Sequence, residues 1–235
     1  MGLNGYFKDA FFVNVRGLRN MALIERAAAA AASRSSVEQA GAVALPHDAH
    51  MAGRVPGSRA IWVGISCVFV EFTLLFTVYF VARAHFPEAF HAGAELLPRL
   101  SGTLITLAMI SSSFCLAAAV ATIRAGAQRA SLFWLVMGLL LALTYPVIKY
   151  FEIRWNLAHG IDAQAGVFIG AYYYLTLNHL VHATWGILGM FWVVARHITG
   201  AYSTDEYGGL EALASYWHAT DIIWLAIFPF FYVLA

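Results

Sequence analysis

Charge is scarce in this sequence. Only 11% of its 235 residues are Asp, Glu, Lys or Arg, and 61% are hydrophobic; soluble proteins carry about 25% charged residues. So little polar material cannot cover a globule of this size, which excludes an ordinary soluble domain and points to a membrane protein. A net charge of +1 gives no reason to expect a nucleic-acid partner. Cysteine is nearly absent: Cys67 and Cys115 both fall inside apolar runs, with no CxxC or zinc spacing. Neither a disulfide framework nor a structural zinc site is expected, and both thiols read as small packing residues. Of six prolines only Pro146 and Pro229 interrupt apolar segments, and no internal repeat is visible. That argues against a transporter built from inverted repeats and broken helices. No h-region follows the basic residues of the opening MGLNGYFKDAFFVNVRGLRN, so it does not read as a secretory signal.

What the sequence has is long apolar runs. A bilayer core about 30 Å thick takes about 20 residues of helix. Five segments qualify: roughly 60–84, 102–124, 130–148, 167–195, and 213 to the end. They are continuous rather than alternating, which excludes a transmembrane β-barrel. The expectation is an all-α integral membrane bundle of five helices over residues 60–235, its short connections favouring antiparallel neighbours. Ten of the fourteen basic residues fall on one side of this threading, seven of them ahead of the first span. The positive-inside rule then places the N-terminus in the cytoplasm and the C-terminus outside, in the periplasm of a bacterial inner membrane. Residues 1–59 form an N-terminal extension: FFVNVRGLRNMALIER suits either a helix on the membrane surface or a leader, and residues 33–59 read as a linker.

Ionisable groups inside such spans are expensive in lipid and are expected to face other helices with partners. Glu71, in VFVEFTLLF, reads as a proton-handling or headgroup-binding carboxylate, or as an interhelical hydrogen-bonding group. Thr103, Thr106, Ser111, Ser112 and Ser113 suggest helix packing through small polar residues. Lys149 and Glu152, three apart, suit an ion pair that anchors a helix end near the interface. His179 and His182 leave one helix on the same side, so they cannot supply both axial ligands of one heme. With His218 they would give a three-histidine set for a metal or a heme b, but with no carboxylate or cysteine ligand nearby. His218 and Asp221 are also three apart and can pair along one face, flanked by Trp217 and Trp224 two turns apart. With no nucleophile beside them, they read as an interhelical clamp or a headgroup seat rather than a catalytic centre.

YWHATDIIWLAIFPFFY resembles the last helix of subunit III of the heme–copper oxidases, whose pattern is (Y/F)WHFxDxxWxxxFxxxY. YYYLTLNHLVHATWG resembles the preceding helix, FxLxGxHGxHVxxG, with Asn178 and Leu180 in place of glycines and with both histidines and Gly186 kept. KYFEI resembles (K/Q)xxEY, and SGTLITLAMISSSFCLAAAVATIRAG the serine-rich second helix. The likeness covers roughly residues 54–235. The family's acidic residue in the first shared helix, counted from Trp62, falls on Val68; Glu71 stands about one turn further on. Five spans match the quinol-oxidase type and the nitric oxide reductase accessory proteins, and RVPGSRAIWVGI looks closer to the latter. The resemblance implies a non-catalytic accessory subunit of a respiratory, electron-transport complex, without a cofactor of its own. Hemes and metal would sit in a catalytic large subunit, and phospholipid would bind between the helices. Glu71, Glu152, His179, His182, Trp217, His218, Asp221 and Trp224 would pack helices or bind lipid. In the oxidases this subunit is also linked to sustained proton uptake.

Overall fold

The computed structural model describes residues 55–233, all of whose regular structure is helical. The expected surface helix or leader, and the linker up to residue 54, lie outside the described residues. Six helices follow in order: α1 (Arg59–His85), α2 (Pro87–Ala94), α3 (Arg99–Arg124), α4 (Gln128–Ala158), α5 (Val167–Ile198) and α6 (Gly208–Phe228). A wider, π-helical turn over Pro229–Val233 continues α6. α1, α3, α4 and α5 are long and apolar enough to cross a membrane, which makes this a multi-pass membrane protein. Their 26 to 32 residues give about 39–48 Å of helix at 1.5 Å per residue, more than the ~30 Å core.

Three outcomes depart from the expected spans. The third and fourth run on past residues 148 and 195, to Ala158 and Ile198, and the last helix begins at Gly208 rather than 213. A short helix not foreseen in the sequence, α2, caps the α1–α3 connection. Proline occupies its first turn, where a missing N–H has no consequence. Phe90 of α2 is buried against Phe168 of α5, ring centroids 5.4 Å apart.

α6 lies innermost among the long helices. Eleven of its 21 residues are buried, against three of 27 in α1. α6 packs on α3, α5 and α1, while α3 packs along α4 and α4 along α5. Those three buried residues of α1, Ile65, Phe72 and Tyr79, recur every seven and trace one stripe. Its other faces are open, with Val63, Val70, Leu74 and Val78 all more than 60% exposed. α1 therefore stands at the edge of the bundle and α6 near its axis.

The serine-rich helix packs as the sequence suggested. Ser112 Oγ on α3 donates to the Gly138 carbonyl on α4 at 2.8 Å, and Ser131 Oγ on α4 returns a bond to the Ala119 carbonyl at 2.9 Å. Gly138 permits this approach, since a methyl there would press on the Leu116 side chain at 2.5 Å. Between the two helices Gly126 takes φ +77°, a turn conformation open to glycine.

Candidate functional site

Three clusters of polar side chains lie inside the bundle. The first joins α1 to α5. Asn178 Nδ2 donates to Glu71 Oε1 at 2.7 Å, and His182 Nε2 faces Glu71 Oε2 at 3.4 Å. The other ring nitrogen of His182 lies 3.0 Å from the Asn178 carbonyl. A carbonyl only accepts, so Nδ1 carries a proton. The Glu71 side chain is 43% exposed, on the open side of α1. Its partners lie more than a hundred residues away in sequence, and no local spacing announced them.

The second cluster is central. His179 is fully buried. Its Nε2 lies 3.0 Å from the Thr220 carbonyl of α6, and its Nδ1 lies 3.0 Å from the Tyr145 hydroxyl of α4. Because the carbonyl accepts, Nε2–H donates there and Nδ1 receives the Tyr145 proton: a neutral imidazole joining α4, α5 and α6. Trp224 packs beside this ring at a centroid distance of 5.3 Å and donates its Nε1–H to Thr106 Oγ1 of α3 at 2.9 Å. Both nitrogens of His179 and both of His182 thus have protein partners, which leaves neither ring a free ligand atom for a heme.

The third cluster is built on an ion pair. Lys149 and Glu152 meet at 3.4 Å, as their spacing suggested, and both side chains are 0% exposed, enclosed by the protein. Lys149 Nζ also donates to the hydroxyls of Tyr172 at 2.8 Å and Tyr232 at 3.2 Å. Both hydroxyls in turn donate to Glu152 Oε1, Tyr232 at 2.7 Å and Tyr172 by a shorter bond. An ion pair removed from water is tolerable only when further hydrogen bonds satisfy both ions, and the two tyrosines supply them. The cluster fastens the π-helical turn to α4 and α5. Tyr79 of α1 adds to this by donating to the Phe230 carbonyl at 3.0 Å. The sequence reading passed over Tyr145, Tyr172 and Tyr232; the only hint was a run of tyrosines, 172–174, in an otherwise apolar span.

His218 and Asp221 do not form the expected pair. They feel each other electrostatically but do not come within ion-pair distance, unlike Arg124–Glu211, Lys149–Glu152 and His182–Glu71. Trp217 is fully buried, with its ring against Gly186 of α5. Arg124 and Glu211, which the sequence did not single out, meet at 2.6 Å between the end of α3 and the first turn of α6, and Glu211 also accepts from the Gly57 N–H at 3.2 Å. No group of three His, Cys, Asp or Glu that could hold a metal ion occurs among the described residues.

Fold and site define a multi-pass α-helical membrane protein with polar clusters that join its helices. No family model matches the chain. It is 30% identical over 193 residues to cytochrome c oxidase subunit 3 of Synechocystis sp., covering 80% of this chain and 78% of that protein. It is 26% identical over 192 residues to a probable cytochrome c oxidase subunit 3 of Mycobacterium leprae, covering 80% and 92%. Against a probable quinol oxidase subunit 3 of Staphylococcus aureus it is 24% identical over 176 residues, covering 74% and 86%. The chain belongs to the heme–copper oxidase subunit III family.

Proposed function

We propose that the chain is a non-catalytic accessory subunit of a respiratory heme–copper complex in a bacterial inner membrane, where it stabilises the catalytic large subunit and holds phospholipid. The observation that carries this reading is that polar groups on different helices bond to one another. Glu71, His179, His182, Lys149 and Glu152 all bond within the protein, so they act as fasteners between helices rather than as reactive groups. α6 serves as the fifth span, its Glu211, His218 and Asp221 turned toward protein instead of lipid. The N-terminus then lies in the cytoplasm and the C-terminus outside, as the distribution of basic residues favours.

Hemes and metal belong to the partner subunit. The relatives carry oxidase names, so a cytochrome c or quinol oxidase is the first partner to test, ahead of a nitric oxide reductase. The open face of α1, where Trp62, Cys67 and Leu74 surround Glu71, offers apolar wall for acyl chains and a carboxyl group for a headgroup. In this role Glu71 supports proton uptake by the complex indirectly, by keeping lipid in place.

The test is co-purification from native membranes in mild detergent. A tagged chain is expected to bring down a heme-bearing large subunit in about equal amount, as one copy of each per complex requires. Deleting the gene is expected to lower the yield of assembled complex while the heme spectrum per complex stays the same. Recovery of the chain alone, with an unaffected yield of every heme–copper complex, overturns the reading.

A further inference from the structure

α6 stays regular to Phe228, and the wider π-helical turn begins at Pro229. The sequence supplies the cause. Proline has no N–H, so the carbonyl of Leu225, four residues back, loses its usual partner, and the pyrrolidine ring crowds that carbonyl. The ladder of helical bonds is thus broken at the residue where the turn widens. Turns closed by i→i+5 bonds are rare, and many of them lie at functional sites.

The residues after Pro229 reach several helices at once. Phe230 turns to α1: its carbonyl accepts from the Tyr79 hydroxyl at 3.0 Å, and its ring packs on Phe80 at a centroid distance of 5.1 Å. Phe231 is fully buried, its ring 5.0 Å from that of Tyr79 and 5.6 Å from Phe168 of α5. Tyr232 enters the ion-pair cluster of α4, where its hydroxyl receives from Lys149 Nζ at 3.2 Å and donates to Glu152 Oε1 at 2.7 Å. Its ring lies over Gly102 of α3, where a methyl group would stand 2.7 Å from it. One turn thereby joins α1, α3, α4 and α5.

Two of these contacts answer needs that arise elsewhere. α1 buries three of its 27 residues, and Tyr79 is one of them. The Lys149–Glu152 pair, removed from water, requires hydroxyls from outside α4 to satisfy its ions. We infer that Pro229 is the residue that couples the two. By ending the α-helix it opens the turn that brings the Tyr232 hydroxyl to Lys149 and Glu152 and the Phe230 carbonyl to Tyr79. A regular helix turns further per residue than one closed by i→i+5 bonds, so α6 carried on unchanged would rotate Tyr232 away from the pair. The seat of the edge helix and the integrity of the buried ion pair then depend on the same turn, and loosening one loosens the other.

The test is thermal unfolding of this chain within the purified complex, with proteolysis at the α1–α2 junction reporting on α1. Alanine is the better helix former, so on propensity alone Pro229→Ala raises the unfolding temperature. It is expected instead to lower it by at least about 3 °C and to make a second change, Tyr232→Phe, silent. Tyr232→Phe alone removes one hydroxyl and keeps the ring. It is expected to lower the temperature by about 2–4 °C and to speed cleavage at the α1–α2 junction, although that hydroxyl bonds to α4 and α5 rather than to α1. Should Pro229→Ala fail to assemble, Tyr79→Phe and Tyr232→Phe decide the matter: their combined shift is expected to fall short of the sum of the two, as for residues in one network. An unchanged or raised unfolding temperature for Pro229→Ala overturns the inference, and so do strictly additive hydroxyl deletions.

Discussion

Glu71 Oε2 and His182 Nε2 stand 3.4 Å apart across the α1–α5 contact, with Asn178 holding the second carboxyl oxygen at 2.7 Å. α1 buries only three residues, and this polar fastening adds to the packing of Phe72 and Tyr79.

Its protonation is predicted to matter less than its hydrogen bonds. Glu71→Gln keeps an acceptor for Asn178 and a donor for His182, whereas Glu71→Leu leaves both without a partner. The expected loss is about 1–2 kcal/mol for Glu71→Leu and under about 0.5 kcal/mol for Glu71→Gln, in line with interhelical bonds measured in membranes. Thermal denaturation of the purified complex and protease sensitivity near the α1–α2 junction report both. Equal damage from the two variants would mean that the charge itself is needed.

Lys149 and Glu152 call for a double-mutant cycle. Replacing either alone strands a buried charge, and about 3–5 kcal/mol of destabilisation is expected for Lys149→Met or Glu152→Leu. The double variant is expected to recover most of that loss, less the bonds of Tyr172 and Tyr232 that lose their partners. Strict additivity, measured by denaturation or by yield of assembled complex, would show that the two do not act as a pair.

Close packing of α5 on α6 is probed at Gly186. A methyl group there would stand 2.8 Å from the Trp217 ring, whereas one at Gly64 would meet nothing within 4 Å. Gly186→Ala is expected to cost about 1–3 kcal/mol by overpacking. Gly64→Ala is expected to be neutral or to stabilise by up to about 1 kcal/mol, through helix propensity. Comparable melting temperatures for the two variants would contradict the packing described.

Much of the architecture was readable from the chain. Apolar runs near twenty residues are the signature of a span, and four of the five expected helices are apolar enough to cross; the motifs around His179 and His218 carried the family. Depth and partnership were not readable. The three-residue spacing of Lys149 and Glu152 revealed the pair, but their full burial depends on Tyr172 and Tyr232, 23 and 83 residues from Lys149 in sequence. Glu71 gave no sign of its partners because helical periodicity describes one helix's faces, not which face of another it meets. His218 and Asp221 show the opposite error: the spacing allowed a pair, but no ion pair forms. Asp221 feels Ser113 of α3 as well as His218, and Ser113 is a neighbour that only tertiary packing supplies.

The central claim is that the ionisable groups of this bundle hold helices together and carry no redox centre. Its most direct measurement is the visible spectrum, with iron and copper analysis, of the chain purified free of other subunits. The account predicts no Soret band and less than about 0.1 metal per chain, since among the described residues no group of three metal-ligating side chains is available. A stoichiometric heme signal that disappears in His179→Ala or His182→Ala would contradict it.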